Sequence, residues 1–314
     1  MRLIAPDCYP LFRCIADRCR HSCCIGWEID VDPDKREMYR SVPGAFGERL
    51  NAAIDDSGDA PCFRLGPDER CPMLNQSGLC DLITALGEEA LCQICADHPR
   101  FRNFYTDRTE IGLGLCCEEA ARLILSREEP MTLITLEDDG VQEEPDDEEL
   151  AVLRMRGLLI AIMQDRSVPV TERLQRLTDT AQTSLPRRTI AEWAEIYRDL
   201  ERLDPAWDGV LDSLSAHPDA QPPAALETAF EQFAVYLLYR HYPGTLEDGD
   251  SEGRVKLTAL SVTLLMRLCA VHAAQHGRCT LEDCAEYARM YSAEIEYSED
   301  NLAALLDEVY AEEA

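Results

Sequence analysis

The sequence predicts a mainly α-helical protein, in which an irregular, cysteine-rich, metal-binding N-terminal module is packed on an α-helical C-terminal domain. Three observations predict it. Twelve of the fifteen cysteines fall between Cys8 and Cys117, and four of them (Cys14, Cys19, Cys23 and Cys24) occupy eleven residues. An acidic block at residues 137–149, Glu-Asp-Asp-Gly-Val-Gln-Glu-Glu-Pro-Asp-Asp-Glu-Glu, separates that region from the rest. Beyond it apolar residues recur at helical spacing, with no alternating strand pattern. The boundaries follow: a cysteine-rich metal- or iron–sulfur-binding module at 1–136, an acidic linker at 137–149 whose like charges repel, and an α-helical domain at 150–314.

In the first region Trp27-Glu-Ile-Asp-Val31 alternates as a short strand would. Residues 81–95 and 118–125 read as short helices. In the second, Val152, Leu153, Met155, Leu158, Leu159, Ile162 and Met163 mark a helix over 150–165. Pro169 opens the next, and Trp193, Ile196 and Tyr197 form one face of another. After Pro222-Pro223 a strong helix spans about 226–239, and a long one spans about 254–275, ended by Gly277 at the C′ position. Thr280-Leu-Glu-Asp283 approximates a capping box, and Ser298 starts the last helix. The whole reads as a bundle.

At 314 residues the chain can bury one large core or two ordinary ones. Its 60 acidic and 30 basic residues give a net charge of −30, which argues against nucleic-acid binding, since phosphates need Lys and Arg stripes. The same charge suits a lysine-bearing partner. No export signal is visible at the N-terminus, and the most apolar stretch, 257–274, is interrupted by Arg267 and His272. A cytoplasmic protein with no membrane partner is expected, in a compartment where disulfides are disfavoured.

The cysteines run Cys14-x4-Cys19-x3-Cys23-Cys24, then Cys71-Pro-Met-Leu, Leu79-Cys80-Asp81, Cys92-x2-Cys95 ahead of His98-Pro99-Arg100, and Cys116-Cys117. Thiolates are soft ligands for zinc and for iron–sulfur clusters. A structural zinc site usually takes two CxxC-like pairs, and only Cys92-x2-Cys95 has that spacing. Scattered loops suit the spread corners of a cubane better, so iron–sulfur is preferred and zinc is the alternative. A Cys-x3-Cys-x2-Cys radical signature is missing, because position 26 is Gly26. Gly112-Leu-Gly114 lacks the third glycine of a phosphate-cradling loop, so no nucleotide or S-adenosylmethionine pocket can be read from the residues.

The run from Cys14 to Trp27, with Cys71-Pro-Met-Leu, Leu79-Cys-Asp, Gly87 to Arg100, Leu115 to Leu123, and Tyr291 to Asn301, resembles the flagellin lysine-N-methylase (FliB) family and, in its first part, a wider group of zinc- or iron-chelating cysteine clusters. The resemblance implies a protein lysine N-methyltransferase that uses S-adenosylmethionine and carries an iron–sulfur cluster, 4Fe–4S in type, acting on flagellin. It carries over Cys14, Cys19, Cys23, Cys24, Cys71, Cys80, Cys95 and Cys117 as metal ligands, whereas Cys8, Cys62, Cys92 and Cys116 are this chain's additions. His98 and Glu118 depart from the family's Tyr and Pro. A lysine of pKa about 10.4 must lose a proton before it attacks a methyl group, so an acceptor or desolvation is needed. Glu28, Asp30, Asp81, Glu294 and Glu296 are the candidate acceptors or ammonium binders. Trp27 and Arg100 are the candidate cofactor contacts, by stacking and by ion pairing, and no catalytic residue is assigned. The alternative is a non-catalytic metal-sensing, storage or scaffold protein.

Overall fold

The computed structural model describes residues 1–140 and 143–311. It is mostly helical and divides into two compact units: Arg13–Arg100, and Met1–Phe12 together with Phe101–Ala314. The boundaries expected from the sequence lie at 136 and 150. Strand pairing draws them elsewhere, because residues 2–6 and 101–138 hydrogen-bond into one sheet and so belong with the helices.

The Arg13–Arg100 unit holds four short helices: α1 (Pro33–Arg40), α2 (Gly44–Ala52), α3 (Asp81–Leu86) and α4 (Gln93–Asp97). Asp32 caps α1 through Lys35 N–H at 3.3 Å. The alternation at 27–31 is real, since Ile29 and Val31 are buried while Glu28 and Asp30 are exposed. The segment pairs only through an isolated bridge from Asp30 to Cys62 and flanking bonds. Its small core gathers Ile29, Tyr39, Leu50, Phe63, Met73 and Leu82 around Cys71 and Cys92.

The second unit has a sheet ordered β2-β3-β1-β4, from β1 (Arg2–Pro6), β2 (Arg100–Phe104), β3 (Arg108–Leu113) and β4 (Leu133–Asp138). β1 runs parallel to β3 and antiparallel to β4. Gly112 has no room for a side chain, because the Phe101 ring fills that space. The helices are α5 (Glu118–Leu125), α6 (Asp147–Met163), α7 (Val170–Thr180), α8 (Ile190–Asp199), α9 (Ala206–Ser213), α10 (Glu227–His241), α11 (Thr245–Asp248), α12 (Ser251–His276), α13 (Leu281–Tyr291) and α14 (Glu299–Glu308), with a π-helical turn at Ser292–Glu296. The capping box at Thr280 and the left-handed Gly277, at φ +82°, end and restart the chain as expected.

The acidic block is not wholly a linker. Glu137 and Asp138 finish β4, and Asp146 caps α6 by accepting from Glu149 N–H at 2.8 Å. Clustered carboxylates are favourable there because the helix dipole is positive at its N-terminus. Val141 and Gln142, within the block, lie outside the described residues. α12 is long and apolar enough to span a bilayer by composition, yet 72 % of its most apolar stretch is buried inside the unit.

α10 has no solvent side over residues 229–239. Its Glu231, fully buried, accepts from Arg166 Nε at 2.8 Å and from Arg173 Nη1 at 2.8 Å. Replacing Glu231 by Ala takes the buried anion from Arg173, itself 3 % exposed, and leaves it only the longer contact to Glu227 at 3.5 Å. Urea unfolding is expected to show a loss of about 3–5 kcal/mol. A loss within 0.5 kcal/mol or so, the range of ordinary surface substitutions, would refute the pairing's role.

Candidate functional site

Backbone pairing collects the thiols of the Arg13–Arg100 unit. Cys71 N–H donates to Cys24 O at 2.9 Å and Ile25 bridges Arg70, so two distant loops lie side by side. A turn held by Asn75, with Leu74 bridging Cys80, returns the chain to the same place. α4 supplies Cys95, and Cys92 precedes it at the N-cap, its sulfur 3.3 Å from the Tyr39 hydroxyl. Cys71 and Cys92 are buried in the small core of this unit, and Cys24, Cys80 and Cys95 pack against that core. Four of the eight expected ligands, Cys24, Cys71, Cys80 and Cys95, are thus neighbours.

The others stand differently. Cys23 is exposed and its thiol hydrogen-bonds Cys24. Cys14 is exposed, its sulfur accepting from Ala16 N–H at 3.4 Å, and Cys19 donates to His21 O at 3.3 Å. Cys117 lies in the other unit, at the N-cap of α5.

Burial pushes the Cys71 thiol up to about 11 and raises Cys80. Cys95 rises through its hydrogen bond to Cys92 and through burial. Cys24 is held lower, at about 7, chiefly by the bond from Cys23. Four desolvated sulfurs with little cationic compensation beyond Arg70 fit a positively charged guest that releases their protons. Among the described residues, no three His, Cys, Asp or Glu side chains gather closely enough to enclose a single ion. One tetrahedral zinc with bonds of about 2.3 Å needs such closure.

Trp27 donates from Nε1 to Cys23 O at 2.5 Å, and its ring lies 5.7 Å from that of His98, tilted by 45°. Arg100 donates to Ala96 O at 2.9 Å, behind α4. Asp81 accepts from Arg49 Nη2 at 2.6 Å and Asn75 Nδ2 at 2.9 Å. Glu28 is exposed and hydrogen-bonds Cys62, and Asp30 is exposed.

In the helical unit the π-helical turn directs Glu296 into a closed polar network. Its Oε2 accepts from the Tyr236 hydroxyl at 2.9 Å and its Oε1 lies 2.5 Å from His241 Nε2. Arg240 Nη1 donates to the Tyr236 oxygen at 2.8 Å, and its guanidinium lies over the rings of Phe101 and Tyr297 at 5.1 and 4.9 Å. Tyr297 also hydrogen-bonds Cys116. Burial alone would raise the Glu296 carboxyl, but Arg240 and His241 outweigh it and hold it at about 2. Because Glu296 is then anionic, His241 must carry the Nε2 proton. Glu294 accepts from the N–H groups of Leu203, at 3.1 Å, and Asp204. Glu296 is therefore committed to protein donors and is a poor general base, whereas burial raises the Glu294 carboxyl despite its N–H donors. Tyr236, Arg240 and His241 are not among the expected site residues, although charged residues along an otherwise apolar helix are a signal for such a site.

Residues 188–314 match the family model described as the FliB lysine N-methylase C-terminal domain. The chain is 28 % identical over 131 residues to the lysine-N-methylase of Salmonella typhimurium, covering 39 % of this chain and 32 % of that one. It is 26 % identical over 128 residues to the flagellar biosynthetic protein FliU of Salmonella muenchen, covering 39 % of this chain and 76 % of that one. The chain thus spans about a third of the length of the curated lysine-N-methylase it matches. No solved structure matches.

Glu296 folds with a depressed pKa, so its contribution to stability is complete above its usual value near 4.3 and disappears as pH falls through about 2. Glu296→Gln is expected to lose about 3–5 kcal/mol at neutral pH and to converge with the parent in strong acid. Urea titrations across pH check this; a constant difference would contradict the assignment.

Proposed function

We propose that this chain, whose C-terminal part carries the FliB domain, is a protein lysine N-methyltransferase of flagellin type. In this reading it depends on S-adenosylmethionine and holds an iron–sulfur cluster, 4Fe–4S in type, in its cysteine-rich unit. The family match over 188–314 carries the methylation half, and the lysine-N-methylase and FliU names of its relatives point to a flagellar protein substrate. The convergence of Cys24, Cys71, Cys80 and Cys95 supports the cluster, and those four residues would hold it.

When bound, S-adenosylmethionine supplies an electrophilic sulfonium methyl group. The chain's part is to bind and present the lysine. A net charge of −30 draws a cationic side chain in and speeds encounter. Desolvation at the site lowers the cost of deprotonating the amine, and positioning supplies much of the remaining barrier reduction. Glu296 acts as a fixed anion that holds the last helices in register, rather than as a base. Trp27 and Arg100 remain the cofactor contacts of this reading, acting inside the cell.

The competing reading, a zinc- or iron-binding scaffold without catalysis, draws on the absence of a glycine-rich cofactor loop in the sequence. Protein purified without oxygen is expected to be brown, to contain iron and sulfide in equal amounts, and to add methyl groups to flagellin lysines when given S-adenosylmethionine. Cluster-loaded protein that methylates nothing would leave the scaffold. Cys71→Ala is expected to lose most of its iron, whereas Cys269→Ala keeps it. Equal iron in both variants would remove the ligand assignment.

A further inference from the structure

α6 packs against α7 and α10, with Val152, Arg156, Leu159 and Met163 buried. Its opposite side is exposed and yet apolar. Met155 is 38 % exposed and Leu158 49 %. With the exposed Ala151 and the half-buried Ile162 they recur at i, i+4, i+7 and i+11, the spacing by which one helix seats against another. Gly157 borders them, and a side chain added there would meet nothing within 4 Å. Arg154 is the sole exposed charge between Leu150 and Met163. The neighbouring α7 shows the ordinary arrangement, with Glu172, Gln175, Arg176 and Asp179 facing solvent. Single apolar residues at a surface are normal, whereas a continuous apolar stripe marks a contact surface.

Electrostatics decides what covers it. The stripe begins where residues 137–149, with nine carboxylates and no base, end. Asp147 and Glu148, in the first turn of α6, are exposed. A second copy would bring another net charge of −30 against this one, and an anionic membrane would be repelled alike. A partner with lysines beside an apolar stripe is attracted at one end of the face and loses water along the rest. We propose that this face docks a cationic amphipathic helix of a protein partner, its apolar side on Met155 and Leu158 and its lysines toward Asp147 and Glu148. The partner's role, that of the lysine-bearing substrate, rests on the methylation reading above; the docking face is the addition. One helix pair covers less than about 1,200 Å², the size of weak and transient complexes. That suits a substrate that must leave after reaction.

The test measures binding of a synthetic Leu/Lys amphipathic helix to the full-length protein by fluorescence anisotropy, with a Leu/Glu helix as the opposite-charge control. The Leu/Lys helix is expected to bind and the Leu/Glu helix is not. Met155→Gln combined with Leu158→Gln should weaken binding by about tenfold or more, since two apolar anchors are lost. Asp147→Asn combined with Glu148→Gln should weaken it by about threefold or more and flatten its dependence on salt. All four positions are exposed, so both double variants should keep the parental helical circular dichroism. With flagellin as substrate, both should raise KM by a similar factor and leave kcat unchanged. Turnover of a short lysine peptide, too small to span the face, should not change. Unaltered helix binding by the Met155→Gln, Leu158→Gln protein overturns the proposal, and so does an unaltered KM for flagellin. A parental dimer in sedimentation that these two substitutions dissolve also overturns it, because a second copy then occupies the face. If the Leu/Lys helix responds to the variants as expected while the parent methylates no flagellin, the docking face stands and the transferase reading falls.

Discussion

A helix with no exposed face is the constraint on which the larger unit depends. α10 is buried from Ala229 to Tyr239, yet it carries Glu231 within that span and Arg240 and His241 at its end. A charge removed from water costs several kcal/mol unless an opposite charge meets it. Segments packed around α10 supply the opposite charges. α6 and its exit loop bring Arg166, α7 brings Arg173, and the π-helical turn brings Glu296. The turn's extra residue per turn re-aims a side chain that a regular helix would have placed elsewhere. Register among these helices is fixed by charge matching as much as by the apolar packing of Phe230, Phe233 and Trp207.

The cysteine-rich unit obeys the opposite logic. Its core is small, and its central sulfurs are desolvated without a matching set of cations. Loops rather than long helices converge there, tied by a few backbone bonds between residues 24–25 and 70–71 and by the turn at 75–79.

The helices of the second unit were legible, because their signals are local. Thr280, Gly277 and Ser298 mark ends through their own hydrogen bonds and dihedral angles. The sheet was not, since β1 finds partners more than 100 residues away and its five residues carry no alternation of their own. The acidic block misled for a physical reason: charges that repel in a loop are stabilised when they begin a helix. Of the candidate site, the thiols now side by side were nameable from spacing and resemblance. The Glu296 network was only half visible, because its cationic members sit on a helix separated from it by about fifty residues of sequence.

The helical unit is interrupted in sequence: its first strand precedes Arg13–Arg100 and its remaining strands follow it. A ribosome making this protein at about 5–20 residues per second releases β1 several seconds before β3, the strand it must lie beside. During that wait all the contacts internal to Arg13–Arg100 become available, while the sheet has none. Biosynthesis thus favours the inner, sulfur-rich segment acquiring its structure first, and the nascent chain carries a lone apolar strand, Arg2–Pro6, until the second half arrives to cover it.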